Sequence, residues 1–404
     1  MMKLYVTIVM GLIFLEVQMA KTEYRNVFRE LGKSEEEINA RLKEVVHGFF
    51  YGEDKVYFPV GDDMGYIEDT GNHDARTEGM SYGMMMCVQL DMKEEFDRIW
   101  KWAKTYMYVT EGPFEGYFAW SCQVTGERNA PGPAPDGEEF FAMALIFASH
   151  RWGDGEGIFN YSKEAKDILR ACVHKGENGR AGDPMWNRDN KLILFIPGVD
   201  FSDPSYHLPH FYEQFARYAY EEDREFWMEA SKASRDYLAK ACHPVTGMNP
   251  EYGEFDGSPV SRQLPHRYYR HDWFYSDAYR TAANIGLDYE WCGIDVGQRA
   301  AVERLQYTLG VVNKENPFVT YEVDGTPLEQ VALHPVGMMA TTAQAALAVP
   351  GPLSLNDPDP VKALAAQWVE RLWNEPLRKG DRRYYDNCLY LFAFLALSGN
   401  YRIY

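Results

Sequence analysis

Apolar residues recur every three to four positions along most of the chain, and this spacing predicts α-helices. The clearest start signal is Ser34, three residues before Glu37, because this pair has the spacing of a capping box. Apolar residues follow it on one helical face: Ile38, Leu42, Val45, Val46 and Phe49. The same periodicity continues in eleven further stretches, at about 77–90, 92–108, 138–152, 161–174, 206–220, 224–241, 272–287, 295–309, 336–348, 359–374 and 385–397. The pattern therefore predicts twelve helices.

The predicted helices come in pairs, one largely apolar and the next amphipathic, as in 138–152 followed by 161–174. Six such hairpins in a ring bury the apolar helices inside and expose the amphipathic ones outside. We therefore predict an all-α fold, an (α/α)6 barrel, with an irregular α-solenoid as the alternative. The longer loops, such as 51–76, 109–137 and 176–205, would then meet at one end of the barrel and form a cleft.

One short β-hairpin is predicted as an insertion at 317–329, where Asp324-Gly325 supplies the turn after the strand-like run 318–323. No linker or low-complexity tract divides the chain. Residues 21–404 are accordingly interpreted as a single catalytic domain.

Residues 1–20 have the pattern of a secretory signal peptide. Lys3 gives a basic start, 4–15 is apolar, and Ala20 is a small residue before the cleavage point. The apolar run is short for a transmembrane helix, and an amphipathic N-terminal helix is the alternative. We expect an exported protein, periplasmic or secreted, or a cytoplasmic one if these residues are not a signal.

The composition narrows the function classes. Asp and Glu number 60 against 41 Lys and Arg, a net charge of -19 over 404 residues, which argues against nucleic acids and anionic membranes as partners. Tyr, Trp and Phe make up 15% of the residues, which suits a carbohydrate cleft, although most such rings belong to cores. The six cysteines show no C-x-x-C spacing and lie mostly in apolar helical stretches, so we expect them buried and reduced. We expect a monomer.

Three acidic residues each stand at the start of an apolar helix: Glu78, Asp136 and Asp277. Taken singly, each has a structural interpretation, as a helix cap or, for Asp277 with Arg280, as an i,i+3 ion pair. Taken together, they would lie at the same end of a barrel. Two carboxyl groups across a cleft are what glycoside hydrolysis requires, one to protonate the leaving oxygen and one to act on water or the sugar.

Competing motifs are weak. Gly79-Met-Ser81-Tyr-Gly83 matches the G-x-S-x-G nucleophile elbow, but that motif follows a buried strand, and the polar stretch 71–78 cannot form one. The sequence contains no nucleotide-binding loop and no H-E-x-x-H motif. We therefore expect neither a metal nor a cofactor.

Four segments resemble glycoside hydrolase family 8: RTEGMSYGM at 76–84, PDGEEFFAMAL at 135–145, YSDAYR at 275–280 and YYDNCLY at 384–390. Members of this family have an (α/α)6 barrel and hydrolyse β-1,4 glycans with inversion. The resemblance implies that Glu78 is the general acid, Asp277 the general base, and Asp136 the carboxylate that holds the sugar before the scissile bond. An inverting pair needs about 6.5–9.5 Å between its carboxyl groups.

The stretch 332–337 resembles the Leu-His-Pro loop of the family members that release xylose from the reducing end of xylo-oligosaccharides. In those enzymes the loop blocks the cleft, so His334 is expected to contact the reducing-end sugar. Trp120 and Tyr206 are candidates for stacking on sugars or for the core, and Arg280 for orienting Asp277. The alternatives are an endo-acting β-1,4-glycanase (xylanase, glucanase or chitosanase), a non-catalytic glycan-binding barrel and a structural helical protein.

Overall fold

The computed structural model describes residues 21, 23–265 and 270–404. Within them the chain forms thirteen α-helices, of which the first, α1 (Val27–Glu30), is a single turn. The other twelve correspond to the twelve predicted: α2 (Glu35–Phe50), α3 (Thr77–Leu90), α4 (Lys93–Trp102), α5 (Pro135–Trp152), α6 (Tyr161–His174), α7 (Pro209–Tyr218), α8 (Arg224–Ala241), α9 (Arg280–Cys292), α10 (Arg299–Tyr307), α11 (Pro335–Gln344), α12 (Pro360–Asn374) and α13 (Arg383–Leu397). The capping box of Ser34 and Glu37 is confirmed at the start of α2. The predicted signal peptide, 1–20, lies outside the described residues.

The odd-numbered helices from α3 to α13 form an inner ring. Each contacts the next, and α13 contacts α3, so the ring closes. Helices α4, α6, α8, α10 and α12 pack outside their preceding partners, and α2 packs outside α13. The inner helices are buried over most of their length, whereas the outer ones bury one face. This closed ring confirms the (α/α)6 barrel and excludes an open solenoid.

Two glycines allow the inner helices to begin in close contact. A Cβ on Gly79, in α3, would lie 2.6 Å from the Tyr384 ring of α13, which is closer than real Cβ contacts. A Cβ on Gly137, in α5, would overlap the side chain of Thr77. Three inner helix starts therefore meet more tightly than any larger residue would allow.

The described residues also contain seven short strands: β1 (Tyr57–Val60), β2 (Met64–Ile67), β3 (Asp74–Arg76), β4 (Ser121–Gln123), β5 (Trp273–Phe274), β6 (Val319–Glu322) and β7 (Pro327–Val331). The predicted hairpin is confirmed as β6 and β7, with Gly325 at φ +91° in the turn. Strand β5 extends it to three strands. Strands β3 and β4 pair with Arg76 opposite Ser121 and so bring two long loops together at the start of α3.

The helix predicted at 272–287 is wrong over its first part. The chain there forms β5, then a 3-10 turn at Ser276–Tyr279, and α9 begins only at Arg280. Ser276 has φ +41°, a left-handed conformation that interrupts a right-handed helix. The aromatic residues of this stretch follow a helical pattern in sequence, but tertiary pairing of β5 with β6 overrides it.

The six cysteines are free; five of them are buried, as expected, whereas Cys292 is only partly buried. Among the described residues, no helix has both the length and the apolar character needed to cross a bilayer.

The contact between the end of α6 and the residue directly before α8 should stabilise the fold to an extent that depends on pH. His174 donates to the buried Asp223 (2.6 Å) and to Glu177 (2.9 Å). Partial burial lowers the pKa of His174, but these two acceptors outweigh it and the net pKa is raised. A raised folded-state pKa stabilises the fold fully below the unfolded value, near 6.5, and this contribution disappears as pH rises through the folded-state pKa.

We therefore expect His174→Gln to lower the free energy of unfolding more at pH 6 than at pH 9, as measured by urea titration. His47→Gln, which removes an exposed histidine of α2, is the control and should show no such pH dependence. If His174→Gln lowered the free energy of unfolding equally at both pH values, the pKa of His174 would not be raised by folding.

Candidate active site

A cleft of about 710 Å³ opens at one end of the barrel. Each of the six inner helices contributes a residue at or just before its first turn: Glu78, Asp136, Tyr206, Asp277, His334 and Tyr384. The inner helices therefore all begin at this end, as predicted for the three acidic residues. Helix N-termini favour negative charge, so this is the end of the barrel where several carboxyl groups are best tolerated.

Glu78 is the second residue of α3, and its side chain is only 16% exposed. Its Oε1 accepts a hydrogen bond from the Tyr384 hydroxyl (2.8 Å), and its Oε2 accepts one from Arg280 (3.1 Å). Burial raises the pKa of the Glu78 carboxyl to about 8. The Arg280 cation opposes this rise, whereas the carboxyls of Asp136 and Asp277 add to it. The carboxyl is therefore protonated at neutral pH.

Arg280 contacts all three acidic residues, and its own side chain is only 5% exposed. One terminal nitrogen donates to Glu78 and to Asp136 Oδ2 (3.0 Å), and the other donates to the Ser205 hydroxyl (2.8 Å). Asp277 lies 3.5 Å from that second nitrogen. The sequence suggested that Arg280 orients Asp277; the structure places its shorter contacts on the other two acids.

Asp136 is the second residue of α5 and is almost fully buried. Its Oδ2 accepts from Arg280 and its Oδ1 from the Gly137 backbone N–H (3.0 Å). Burial raises the pKa of Asp136 to about 6, against the lowering effect of Arg280. This carboxyl is therefore ionised at neutral pH and has hydrogen-bonding capacity for a sugar hydroxyl at the cleft wall.

Asp277 has a different environment from Glu78. It lies in the 3-10 turn before α9, and its side chain is 29% exposed, more than that of either other acid. The left-handed Ser276 directs the chain into this turn. A carboxylate that faces the open cleft and is held by one guanidinium can contact both substrate and water. Arg280 bridges it to Glu78, so a buried acid and an accessible carboxylate share one cation.

The other predicted site residues also line the cleft. Trp120 is 36% exposed, its ring 5.2 Å from the Arg76 guanidinium, and it is the most exposed of the candidate aromatic platforms. Tyr206 is only 4% exposed and packs 5.4 Å from Arg280, so it forms the inner wall. His334, directly before α11, donates from Nδ1 to the carboxylate of the buried Asp386 (3.0 Å).

Sequence reasoning missed several contacts of the acids. Tyr384 binds Glu78, and Tyr82 and Ser205 accept hydrogen bonds from Arg280. The signal for Tyr384 was its position at the start of an inner helix, the same position that singled out the three acids. Ser81, the centre of the G-x-S-x-G match, is fully buried and donates to the Glu78 carbonyl (3.0 Å), so it is not a nucleophile.

Replacing Tyr384 by Phe should change the pH profile more than the maximal rate. The Tyr384 hydrogen bond lowers the pKa of Glu78, so its loss should raise that pKa and move the basic limb of the kcat/KM profile to higher pH. The rate at the optimum should fall by less than about tenfold, because the acid itself remains. Tyr321→Phe removes another buried hydroxyl, outside the cleft, and should leave the limb unchanged. If the basic limb of the Tyr384→Phe profile stayed at the wild-type pH, Tyr384 would not be lowering the pKa of Glu78.

Within residues 21, 23–265 and 270–404, no group of three or more His, Cys, Asp and Glu side chains is arranged to hold a metal ion. The chemistry that the cleft itself offers is that of a protonated carboxylic acid, an accessible carboxylate and a shared arginine.

Comparisons with known proteins agree with this arrangement. Residues 62–397 match the sequence profile of Glycosyl hydrolases family 8. The chain is 56% identical over 383 residues to the reducing-end xylose-releasing exo-oligoxylanase Rex8A of Paenibacillus barcinonensis, covering 94% of this chain and 97% of that protein. It is also 56% identical to the reducing end xylose-releasing exo-oligoxylanase of Halalkalibacterium halodurans, over 94% of each chain.

The solved structure of Rex8A complexed with xylose superimposes with a TM-score of 0.88 at 55% identity, covering 95% of this chain and 98% of the other. Family profile, sequence identity and fold therefore lead to one assignment. The chain belongs to family 8 of the glycosyl hydrolases.

Proposed function

We propose that this protein is an inverting glycoside hydrolase that releases xylose from the reducing end of β-1,4-xylo-oligosaccharides. The observation that carries the proposal is the pair formed by a buried, protonated Glu78 and an accessible Asp277 on one shared arginine. The specificity is supported by relatives that are 56% identical over nearly the whole chain and are named for this activity.

In the proposed reaction Glu78 gives its proton to the glycosidic oxygen as the bond from that oxygen to the anomeric carbon breaks. A water molecule attacks the anomeric carbon from the opposite face, and Asp277 takes the proton that this water loses. The products are free xylose and a shortened oligosaccharide whose new hemiacetal has the inverted, α configuration. Each proton-transfer role is typically worth roughly 10²–10⁴-fold in rate.

Asp136 is proposed to hold hydroxyls of the sugar before the scissile bond. Its position supports this role, because it lines the cleft and is fixed by Arg280 and the Gly137 N–H. A carboxylate held on two sides can accept a hydroxyl without reorganising, and hydrogen bonds that strengthen in the transition state add to the rate.

The exo preference is proposed to come from Leu333 and His334, which line the cleft in the 332–337 loop. This loop is firmly supported. Arg378 donates to the Leu333 carbonyl (2.9 Å), and the buried Asp386 accepts from the Gly337 N–H (2.7 Å) and contacts His334. A loop tied to one buried carboxylate makes a fixed barrier, so only one leaving-group sugar would fit beyond the scissile bond.

The test is a time course on xylotriose and xylotetraose labelled at the reducing end, with products separated by chromatography and anomeric form read by NMR. We expect labelled xylose as the only early labelled product, an α hemiacetal on the other fragment, and slower action on xylobiose and polymeric xylan. Labelled xylobiose among the first products would favour an endo-acting β-glycanase of the same family. A β hemiacetal would contradict inversion.

A further inference from the structure

A second, smaller cavity of about 30 Å³ lies deeper in the barrel than the cleft. Asp136 lines both cavities, so they share a wall, and Arg280 lines the inner one. The inner cavity is also lined by Glu139 of α5, by His210 of α7 and by Tyr401, which follows α13. Its volume is enough for roughly one or two water molecules.

Four residues that line this cavity each have a buried polar atom with no hydrogen-bond partner among the described residues: Glu139 Oε2, His210 Nδ1, Arg280 Nε and the Tyr401 hydroxyl. The four residues are between 1% and 4% exposed. Buried polar groups are nearly always paired, with protein or with ordered water. A cavity of this size with several polar partners is the kind that holds water.

We propose that the inner cavity is a water-binding site, and that Glu139, hydrogen-bonded through this water to Arg280 Nε, is a positioning residue for Glu78 and Asp136. The positioning role rests on the proposed function, whereas the water site does not.

The hydrogen bonds of Arg280 give the reason. Its two terminal nitrogens donate to Glu78 and Asp136, which line the cleft, and to Tyr82 and Ser205, which line the inner cavity. The remaining donor of Arg280, its Nε–H, has no partner among the described residues. Arg280 itself lines the inner cavity. A water there would accept from Nε and hold the guanidinium plane from behind. The angle of that plane sets the two distances to Glu78 and Asp136.

The charges around Glu139 fit this role. Tyr212 of α7 donates to Glu139 Oε1 (2.5 Å), Arg280 faces it from α9, and Asp136 and Glu138 lie on its own helix. Burial raises the pKa of Glu139 well above its usual range, and the opposing effects of Tyr212 and Arg280 are smaller. Glu139 is therefore neutral, and it does not compete with the cleft carboxylates for the charge of Arg280.

His210, another titratable residue of the wall, is neutral as well. Burial lowers the pKa of His210 well below its usual range, and the positive charge of Arg235 adds to this effect. Neutral Glu139 supplies one O–H donor to the cavity, and neutral His210 supplies one ring nitrogen. The inner cavity can thus be filled by hydrogen-bonded water without adding charge beside Arg280.

The first test is a high-resolution crystal structure of the wild-type protein. We expect electron density for water within about 3.2 Å of both Arg280 Nε and Glu139 Oε2. A dry cavity, or water that contacts neither atom, would overturn the proposal. This measurement needs no activity and no variant, so it decides the water site even if the proposed substrate is wrong or a substituted protein does not fold.

The second test separates positioning from general support. Glu139→Gln keeps the shape and a donor, so its kcat should stay near the wild-type value. Glu139→Leu removes the hydrogen-bonding groups, so its kcat on xylotriose should fall by about tenfold or more, since small displacements of catalytic groups are costly. The basic limb of the kcat/KM profile of Glu139→Leu should also move to higher pH, because a loosely held Arg280 stabilises ionised Glu78 less well.

Glu138→Gln is the matched control, a buried acid on the same helix that does not line the inner cavity. It should leave both kcat and the basic limb unchanged. If Glu139→Leu has the melting temperature of the wild type and keeps both its kcat and its basic limb, the positioning role is overturned. If the wild type itself does not cleave xylotriose, the proposed function fails and the crystallographic result still stands.

Discussion

Replacing Glu78 by Gln is expected to lower kcat on xylotriose by roughly 10²–10⁴-fold, because Gln has the same shape but no proton to give to the leaving oxygen. The fold should be unaffected, since the amide can still contact Tyr384 and Arg280, which bind the carboxyl in the wild type. Steady-state kinetics with thermal melting as the folding control would measure both.

A substrate that needs no protonation makes this prediction sharper. On 4-nitrophenyl β-xylobioside the departing phenolate is stable without a proton, so Glu78→Gln should lose far less activity than on xylotriose. An equal loss on the two substrates would mean that Glu78 is not the proton donor. Turnover of xylotriose near the wild-type rate would also exclude it.

Replacing Asp277 by Asn should give a different pattern of loss. The rate is again expected to fall by roughly 10²–10⁴-fold, but on the nitrophenyl substrate as well, because the attacking water needs a base whatever the leaving group. Azide, which is already an anion, should restore part of the cleavage and give the α-glycosyl azide. The measurement is kcat on both substrates, with and without azide.

Asp62→Asn, which changes an exposed acid between β1 and β2 that does not line the cleft, is the matched control and should behave as the wild type. If Asp277→Asn keeps good activity on the nitrophenyl substrate, as Glu78→Gln should, then the assignment of the two roles is wrong. The exposures of the two side chains, 16% for Glu78 and 29% for Asp277, are the structural basis of that assignment.

The helical architecture was predictable from sequence because it depends on local information. A period near 3.6 and the alternation of apolar with amphipathic helices identified all twelve barrel helices and their order in the ring. The acids Glu78, Asp136 and Asp277 were found because each stands at an inner helix start. The sequence pattern failed at 272–287, where pairing with a distant strand and the left-handed Ser276 decide the backbone.

The finer chemistry of the site was beyond such reasoning. Arg280 contacts Glu78 and Asp136 more closely than Asp277 because of which helices are neighbours across the ring. In sequence, Arg280 is 202 positions from Glu78 and 144 positions from Asp136. The Glu139 carboxyl looks like part of a polar helix cap in sequence. Only the packing of α5 against α7 buries it, beside a polar cavity that residues of α9 also line.

The contact between α13 and α3 that closes the ring also gives the catalytic activity a place in the folding sequence. The Tyr384–Glu78 hydrogen bond joins residues 306 positions apart, nearly the ends of the barrel. Contacts of such long range are the slowest to form, so a chain with all its hairpins built but its ends not yet joined would have helix content without a complete cleft, whose wall includes Tyr384 and Tyr385. During refolding, recovery of hydrolysis should therefore lag behind recovery of the helical circular dichroism signal. Hydrolysis would report on completion of the barrel.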